Sequence, residues 1–267
     1  MADAGLRFIR RRFDGGHHYF VANLTAKPIQ GWFPVSVRCT SAAILDPLTG
    51  GAGVAAIRSA ASPEIYLQLQ PGESLIIRTL DTKKVAGEPW QYLNEAGERV
   101  AVPGTWHVEF IEGGPKLPAA YDTENLASWT TRDDEDAKRF GGTARYTIDF
   151  DAPKTQADEW LLDLGDVRES ARVSINGHSV GTLWSLPFQA RVGSLIVPGT
   201  NKLAIEVTNL AANRIRDLDA RKVDWKKFHE INFVNIHYRP FDASEWPLVD
   251  SGLLGPVKLV PMKKIQP

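Results

Sequence analysis

Apolar residues in this chain recur at a period of two, and that regularity restricts what it can fold into more than any other feature. Ile65, Leu67 and Leu69 alternate with polar neighbours, as do Tyr146, Ile148 and Phe150, the pattern of strands with one face on a core. Helical periodicity is almost absent. Turn signals break the runs at short intervals, at Asp14-Gly15-Gly16, Asp46-Pro47, Pro71-Gly72, Asn176-Gly177 and Pro198-Gly199-Thr200-Asn201. Many short strands with regular turns predict an all-β, antiparallel sandwich architecture. At 267 residues the chain has room for about two domains, each with its own core.

Lys plus Arg number 31 against 32 Asp plus Glu, a net charge of -1. The chain as a whole therefore has no general attraction for nucleic acid or an anionic membrane, and neither is expected as a partner. A lone cysteine, Cys39, rules out an internal disulfide framework, and no Cys/His cluster has zinc spacing. No apolar run approaches the ~20 residues of a membrane helix. Arginines between Met1 and Arg12 stand where the apolar core of a signal peptide would sit, so no export signal is expected.

Leu6 to Phe13 and His17 to Leu24 read as a hairpin, Val35, Val37 and Cys39 as a third strand, and Ser74 to Leu80 as the strand closing the group. This predicts an immunoglobulin-like sandwich over residues 5–85. A polar stretch rich in Gly and Pro predicts a linker at 86–104. The second domain, over 105–262, opens on alternating Trp106, Val108 and Phe110 and ends with Leu253 to Val260, so its first and last strands are expected to lie close together. Two stretches inside it do not read as strands. Asn125 to Phe140 holds Trp129 and the run Asp133, Asp134, Glu135, Asp136. The insertion at 209–251 is too long for an idle connection, and its aromatic content (Trp225, Phe228, Phe233, Tyr238, Phe241, Trp246) argues against disorder.

Trp160 to Val207 reads as a strand ending at Gly165, a strand Ala171 to Ile175, a tight Asn176-Gly177 hairpin and a strand pair across Pro198 to Asn201. With Gly142-Thr143-Ala144-Arg145-Tyr146 before it, and Leu164-Gly165, Val173-Ser174-Ile175-Asn176-Gly177 and Pro198-Gly199-Thr200-Asn201-Lys202-Leu203 within it, this segment resembles the galactose-binding-like jelly roll of glycoside hydrolases. Further segments narrow the resemblance: Phe8-Ile9-Arg10-Arg11 with His18-Tyr19-Phe20-Val21-Ala22-Asn23, Asp46-Pro47-Leu48-Thr49-Gly50, Leu126-Ala127-Ser128-Trp129-Thr130 and Ser251-Gly252-Leu253-Leu254-Gly255-Pro256-Val257. Together they are similar to the C-terminal region of glycoside hydrolase family 106, the alpha-L-rhamnosidases, and of related family 2-like enzymes, over nearly the whole chain. The resemblance implies catalytic carboxylates on a barrel domain, in cis or in trans, and a bacterial, polysaccharide-degrading, periplasmic or extracellular setting. No alternation of strand and helix proper to a barrel is present here, so no family catalytic residue is carried over. What remains is a non-catalytic carbohydrate-binding or accessory module, with a purely structural brace for the barrel as the alternative.

A sugar offers apolar faces and a rim of hydroxyls, so a protein grips it with flat aromatic surface plus polar donors and acceptors. The long insertion supplies Trp225, Tyr238 and Trp246 as platforms and Asn213, Arg214, His237, Arg239 and Asp242 as polar partners, with Trp129 facing the same site from the other irregular stretch. Each tryptophan has an equally ordinary reading as core or loop packing; the cluster carries the expectation. A rhamnose-containing polysaccharide is the ligand the resemblance implies. The acidic run at 133–136 invites a structural calcium, but consecutive acids cannot all converge on one ion, and a solvated acidic loop accounts for them equally well. Catalysis by the chain itself would need two carboxyl groups about 5 to 10 Å apart, for which Asp242 with Glu245 or Asp250 are the candidates. No cofactor is implied.

Overall fold

The computed structural model describes residues 1–59, 62–227 and 239–267 and consists of two antiparallel β-sandwiches. In the first, the strands Leu6–Phe13, Gly16–Asn23, Ser74–Leu80, Ser41–Leu45 and Ala52–Val54 pair in that order into a five-stranded sheet. A three-stranded sheet of Ile29–Pro34, Glu64–Leu69 and Ile57–Arg58 faces it. Alternation sends Ile65, Leu67 and Leu69 inward against Leu6, Tyr19, Val21, Ile44, Leu75 and Ile77, all within 2% of complete burial. Burying each such side chain contributes roughly 1.5–3 kcal/mol. The expected hairpin is present. The third strand is Ile29–Pro34 rather than Val35 to Cys39: Val35 and Cys39 are buried, but their stretch is irregular.

The second sandwich packs a six-stranded sheet, in the order Tyr121–Thr123, Trp106–Gly114, Gly141–Asp151, Thr200–Thr208, Ser170–Ile175, His178–Leu183, on a sheet formed by Val100–Ala101, Lys258–Ile265, Glu159–Asp163 and Gln189–Arg191. Trp106 and Trp160 lie in the core between them. The Asn176-Gly177 turn is as tight as expected, with φ of 52° and 79° at its two residues, the left-handed pair that a two-residue hairpin requires. The stretch before Pro198 is a single 3-10 turn, Gly193–Leu195, and not a strand.

Residues 86–104 are not a loose linker. Tyr92–Glu95 and Val100–Ala101 both pair with Lys258–Ile265, so the connection belongs to the second sandwich's sheet. The strand Lys258–Ile265 accordingly lies in the sheet opposite Trp106–Gly114, and the second domain's first and last strands are not paired. Tyr92 has its backbone in that sheet and its ring in the first core, where its hydroxyl donates to Tyr66 O (3.2 Å) and accepts from Ala56 N (3.0 Å). Gln68 of the first sandwich grips Leu93 through both backbone groups, at 3.0 and 2.9 Å. The Pro71-Gly72 turn lies against Leu186, close enough that a side-chain carbon at position 72 would fall 2.8 Å from the Leu186 Cβ.

Candidate functional site

The insertion begins with a helix, Ala212–Ala220, that no apolar stripe announced. Ion pairs one turn apart hold it: Asp217 takes Arg214 at 2.8 Å and Arg221 at 2.6 Å. Its inner face is fastened by amides rather than by packing. Asn213, 2% exposed, donates to Val249 O (2.7 Å) and accepts from Val249 N (2.8 Å). Asn209 donates to Phe140 O and to Ser251 Oγ, each at 3.0 Å, and Ser251 N donates to Ser128 Oγ at 3.0 Å. A buried polar knot thus ties together both irregular stretches that the sequence singled out. Gly252 sits in the same knot with φ of 106°, and a Cβ there would lie 2.4 Å from Tyr146 Oη and 2.7 Å from Trp129 Cε3. Only glycine combines that backbone with that approach.

Beyond the helix an aromatic cluster forms around one carboxylate. Asp219, with a side chain 5% exposed, accepts from Trp225 Nε1 (2.7 Å), from Ala243 N (2.8 Å) and from Lys226 Nζ (3.0 Å). Burial pushes its carboxyl up, but these three donors outweigh that and hold it below the ordinary carboxylate range. Phe241 stands edge-on to Trp225 (6.3 Å between ring centroids, 84°) and to Trp246 (5.5 Å, 84°). Lys226 lies within 6 Å of the Trp225 and Phe241 rings and donates to Phe241 O at 2.8 Å. Arg216 Nε donates to Trp246 O at 2.6 Å. The result is an open aromatic shelf whose outermost ring, Trp246, is 38% exposed.

The structure therefore brings Trp225 and Trp246 together on Phe241 and leaves Asp242, the next residue in the chain, exposed; Arg239 is exposed as well. Asp242 is engaged within its own turn, where the Ser244 N–H (2.9 Å) and hydroxyl hold its carboxyl below the ordinary range. Three expectations are corrected. Trp129 is fully buried, edge-on to Phe110 at 5.3 Å and Phe140 at 5.9 Å, so no ring face remains for a sugar. Asn213 spends its amide on Val249 and Ser251, and Arg214 is paired to Asp217 along its own helix. His237 and Tyr238 lie outside the described residues. Phe241, Asp219, Lys226 and Arg216, which build the shelf, were missed as site residues, because spacing in an irregular segment carries no signal of their convergence. Trp184, 64% exposed on the loop after His178–Leu183, was missed as well; its place just past the end of an alternating run was the available hint.

The acidic run is used internally. Asp134 caps the short helix Glu135–Lys138 by accepting from Asp136 N and Ala137 N, Asp136 pairs with Arg139 and Lys116, and Glu135 pairs with Lys138. Among the described residues no three His, Cys, Asp or Glu side chains converge as metal ligands. Two clefts lie away from the shelf, one of about 320 Å³ lined by Val102, Asp149, Phe150 and Leu259, the other of about 430 Å³ lined by Arg38, Cys39, Arg58 and Asp81.

No family model matches the chain. It is 34% identical, over 221 residues, to a "Putative beta-glucuronidase" of Formosa agariphila, an alignment covering 74% of this chain and 19% of that protein. Among solved structures it is similar to a rhamnosidase of Novosphingobium sp. PP1Y, with 25% identity, a TM-score of 0.71 and coverage of 97% of this chain and 24% of that one. A beta-glucuronidase of Faecalibacterium prausnitzii aligns at 20% identity over 66% of this chain and 33% of that one, with a TM-score of 0.42, too low to bear on the fold. The all-β fold is thus that of a region of a glycoside hydrolase, and the chain spans about a quarter or less of the length of the first two relatives.

Proposed function

We propose that this chain is a non-catalytic accessory region of a polysaccharide-degrading glycoside hydrolase, and that it holds a glycan on the shelf formed by Trp225, Phe241 and Trp246. In this reading it works outside the cytoplasm beside a catalytic barrel, and a rhamnose-containing polysaccharide is the first ligand to test. The observation that carries the proposal is the bracing of Trp246: a partly exposed indole fixed edge-on by Phe241 and by the Arg216 bond to its carbonyl is ordered before a ligand arrives, which lowers the entropic cost of stacking. A glycosidase needs one carboxyl held protonated to act as acid, whereas Asp219 and Asp242 are both held below their ordinary range and both are committed to donors.

Affinity electrophoresis against rhamnogalacturonan, arabinogalactan and ulvan, at salt high enough to screen binding through uronate charge and with reducing ends assayed in the same samples, tests this. The expected result is retardation without release. Trp246→Ala should abolish most of the retardation while changing stability by less than about 1 kcal/mol, since the ring is partly exposed. Full retention by this variant would remove the shelf from the account, and release of reducing ends would make the chain an enzyme.

The bracing role favours itself on one separate observation, the small share that this chain occupies of its longer relatives. Silence against every polysaccharide would move the weight to that reading.

A further inference from the structure

The five-stranded sheet of the first sandwich is electrostatically one-sided. Among the described residues its strands carry five arginines (Arg7, Arg10, Arg11, Arg12, Arg78), two histidines and not one Asp or Glu, in a chain whose total charge is -1. None of the five is ion-paired to a carboxylate among the described residues. Register divides them: Arg7, Arg11 and Arg78 share the outward face, while Arg10 and Arg12 pair opposite Tyr19 and His17 on the face that carries Leu6 and Val21 into the core.

Register decides what this charge faces. Pairing sets Arg11 beside His18 and His18 beside Arg78, a row across three strands on the outward face in which the two guanidinium groups carry the charge, since burial and the neighbouring Arg78 push the imidazole down. The Phe13 ring lies 5.0 Å beneath the Arg78 guanidinium and 4.5 Å from the His18 ring. The adjacent row is Ile9, Phe20 and Ile76, with Ile9 66% and Phe20 46% exposed. Arginine forks beside an apolar strip match a chain of carboxylated sugars, whose C–H faces lie on the strip while their carboxylates take the guanidinium groups two bonds at a time. A second copy of this chain does not fit, because pairing Leu6–Phe13 with itself would oppose arginine to arginine.

The geometry points to a second glycan site here, selective for uronate-bearing polysaccharide, in a domain the first proposal treats only as a neighbour. It rests on the same reading of the chain as glycan-associated, but on different residues. The test is affinity electrophoresis of the whole chain in polygalacturonate, with dextran, poly-L-glutamate and duplex DNA as comparison polymers, at low and at high salt. Retardation by polygalacturonate alone, lost at high salt, is the expected result. Arg11→Gln with Arg78→Gln should weaken it about fivefold, as expected for two charge-assisted contacts, and Phe20→Ser should weaken it further with the charges intact. Lys263→Gln with Lys264→Gln, an exposed cation pair elsewhere, should leave it unchanged.

Three results would overturn the inference: no retardation by polygalacturonate, equal retardation of wild type and the arginine variant, or equal retardation by poly-L-glutamate or DNA, which would make the face a general polyanion or nucleic-acid surface. The two glycan proposals fail separately. Trp246→Ala should leave polygalacturonate retardation intact, and the arginine variant should leave the shelf's ligand bound.

Discussion

On the six-stranded sheet of the second sandwich, Arg145 and Arg172 share Glu206 at 2.8 and 3.3 Å, and Glu109 stands 3.8 Å from Arg145. On the outward face of the five-stranded sheet of the first, Arg7, Arg11 and Arg78 stand with no carboxylate among them, while Arg10 and Arg12 lie on the opposite face with Tyr19 and His17. Both faces point outward, both are antiparallel, and their strands alternate equally well. The first leaves uncompensated a repulsion that one or two acidic substitutions would relieve, whereas the second has already relieved it. The proposed uronate site rests on this difference: the first sheet keeps one sign of charge on its outward face, where the second balances it.

The comparison can be broken at three points. The largest effect is expected inside the second sandwich. Gly252→Ala pushes a methyl into Tyr146 Oη and Trp129 at a positive φ, and should cost about 3 kcal/mol or more in denaturant unfolding. A variant as stable as wild type would show that the polar knot is not what makes this sandwich self-sufficient.

The seam between the regions comes next. Glu73, in the turn against Leu186, accepts from Gln70 N at 2.7 Å, and its carboxyl is pushed up to about 7, first by burial, with Gln70 opposing and Asp46 adding to the rise. The folded value exceeds the unfolded one near 4.5, so the native state binds the extra proton. The stability this provides is complete below pH 4.5 and is lost as pH rises toward about 7, by at most about 3 kcal/mol. Glu73→Gln keeps the acceptor and should flatten unfolding free energy across that window. An unchanged slope would place the titration elsewhere.

The smallest effect sharpens the contrast. Glu206→Gln strips the counter-charge from two arginines whose side chains are 41% and 73% exposed, so screening keeps the cost to about 0.5 kcal/mol. Combined with Arg11→Gln and Arg78→Gln, it should nevertheless restore part of the polygalacturonate retardation that those two changes remove. If it does not, unmatched arginines alone do not make a binding face.

The strands were legible because alternation survives wherever one face is buried and the other wet, as in Glu64–Leu69 and Gly141–Asp151. Tyr92–Glu95 and Val100–Ala101 were not, being too short for a period to show and too polar to stand out from a linker. The helix Ala212–Ala220 was hidden because Asn213 anchors it by hydrogen bonds, which leave no apolar stripe. At the shelf, residue type pointed to Trp225 and Trp246, but the Asp219 and Phe241 contacts that orient them join positions no spacing rule relates. Trp129 misled for the same reason: indole chemistry is identical on a surface and in a core, and only Phe110 and Phe140 decide which it is.

Tyr92 is claimed by two partners that leave the ribosome at very different times. Its ring belongs to the first core, whose other buried members all lie within residues 6–77, yet the backbone ladder that fixes its direction waits for Ile265, which also packs on that core. Until then the two halves are held only by contacts such as Gln68 with Leu93 and Gly72 with Leu186, and the later strand, lying between Glu159–Asp163 and Tyr92–Glu95, adds the backbone ladder that joins the second sandwich to Tyr92. Chains halted before Lys258 should therefore present a folded first half and a protease-sensitive stretch at residues 81–91, a sensitivity that disappears once the strand is added.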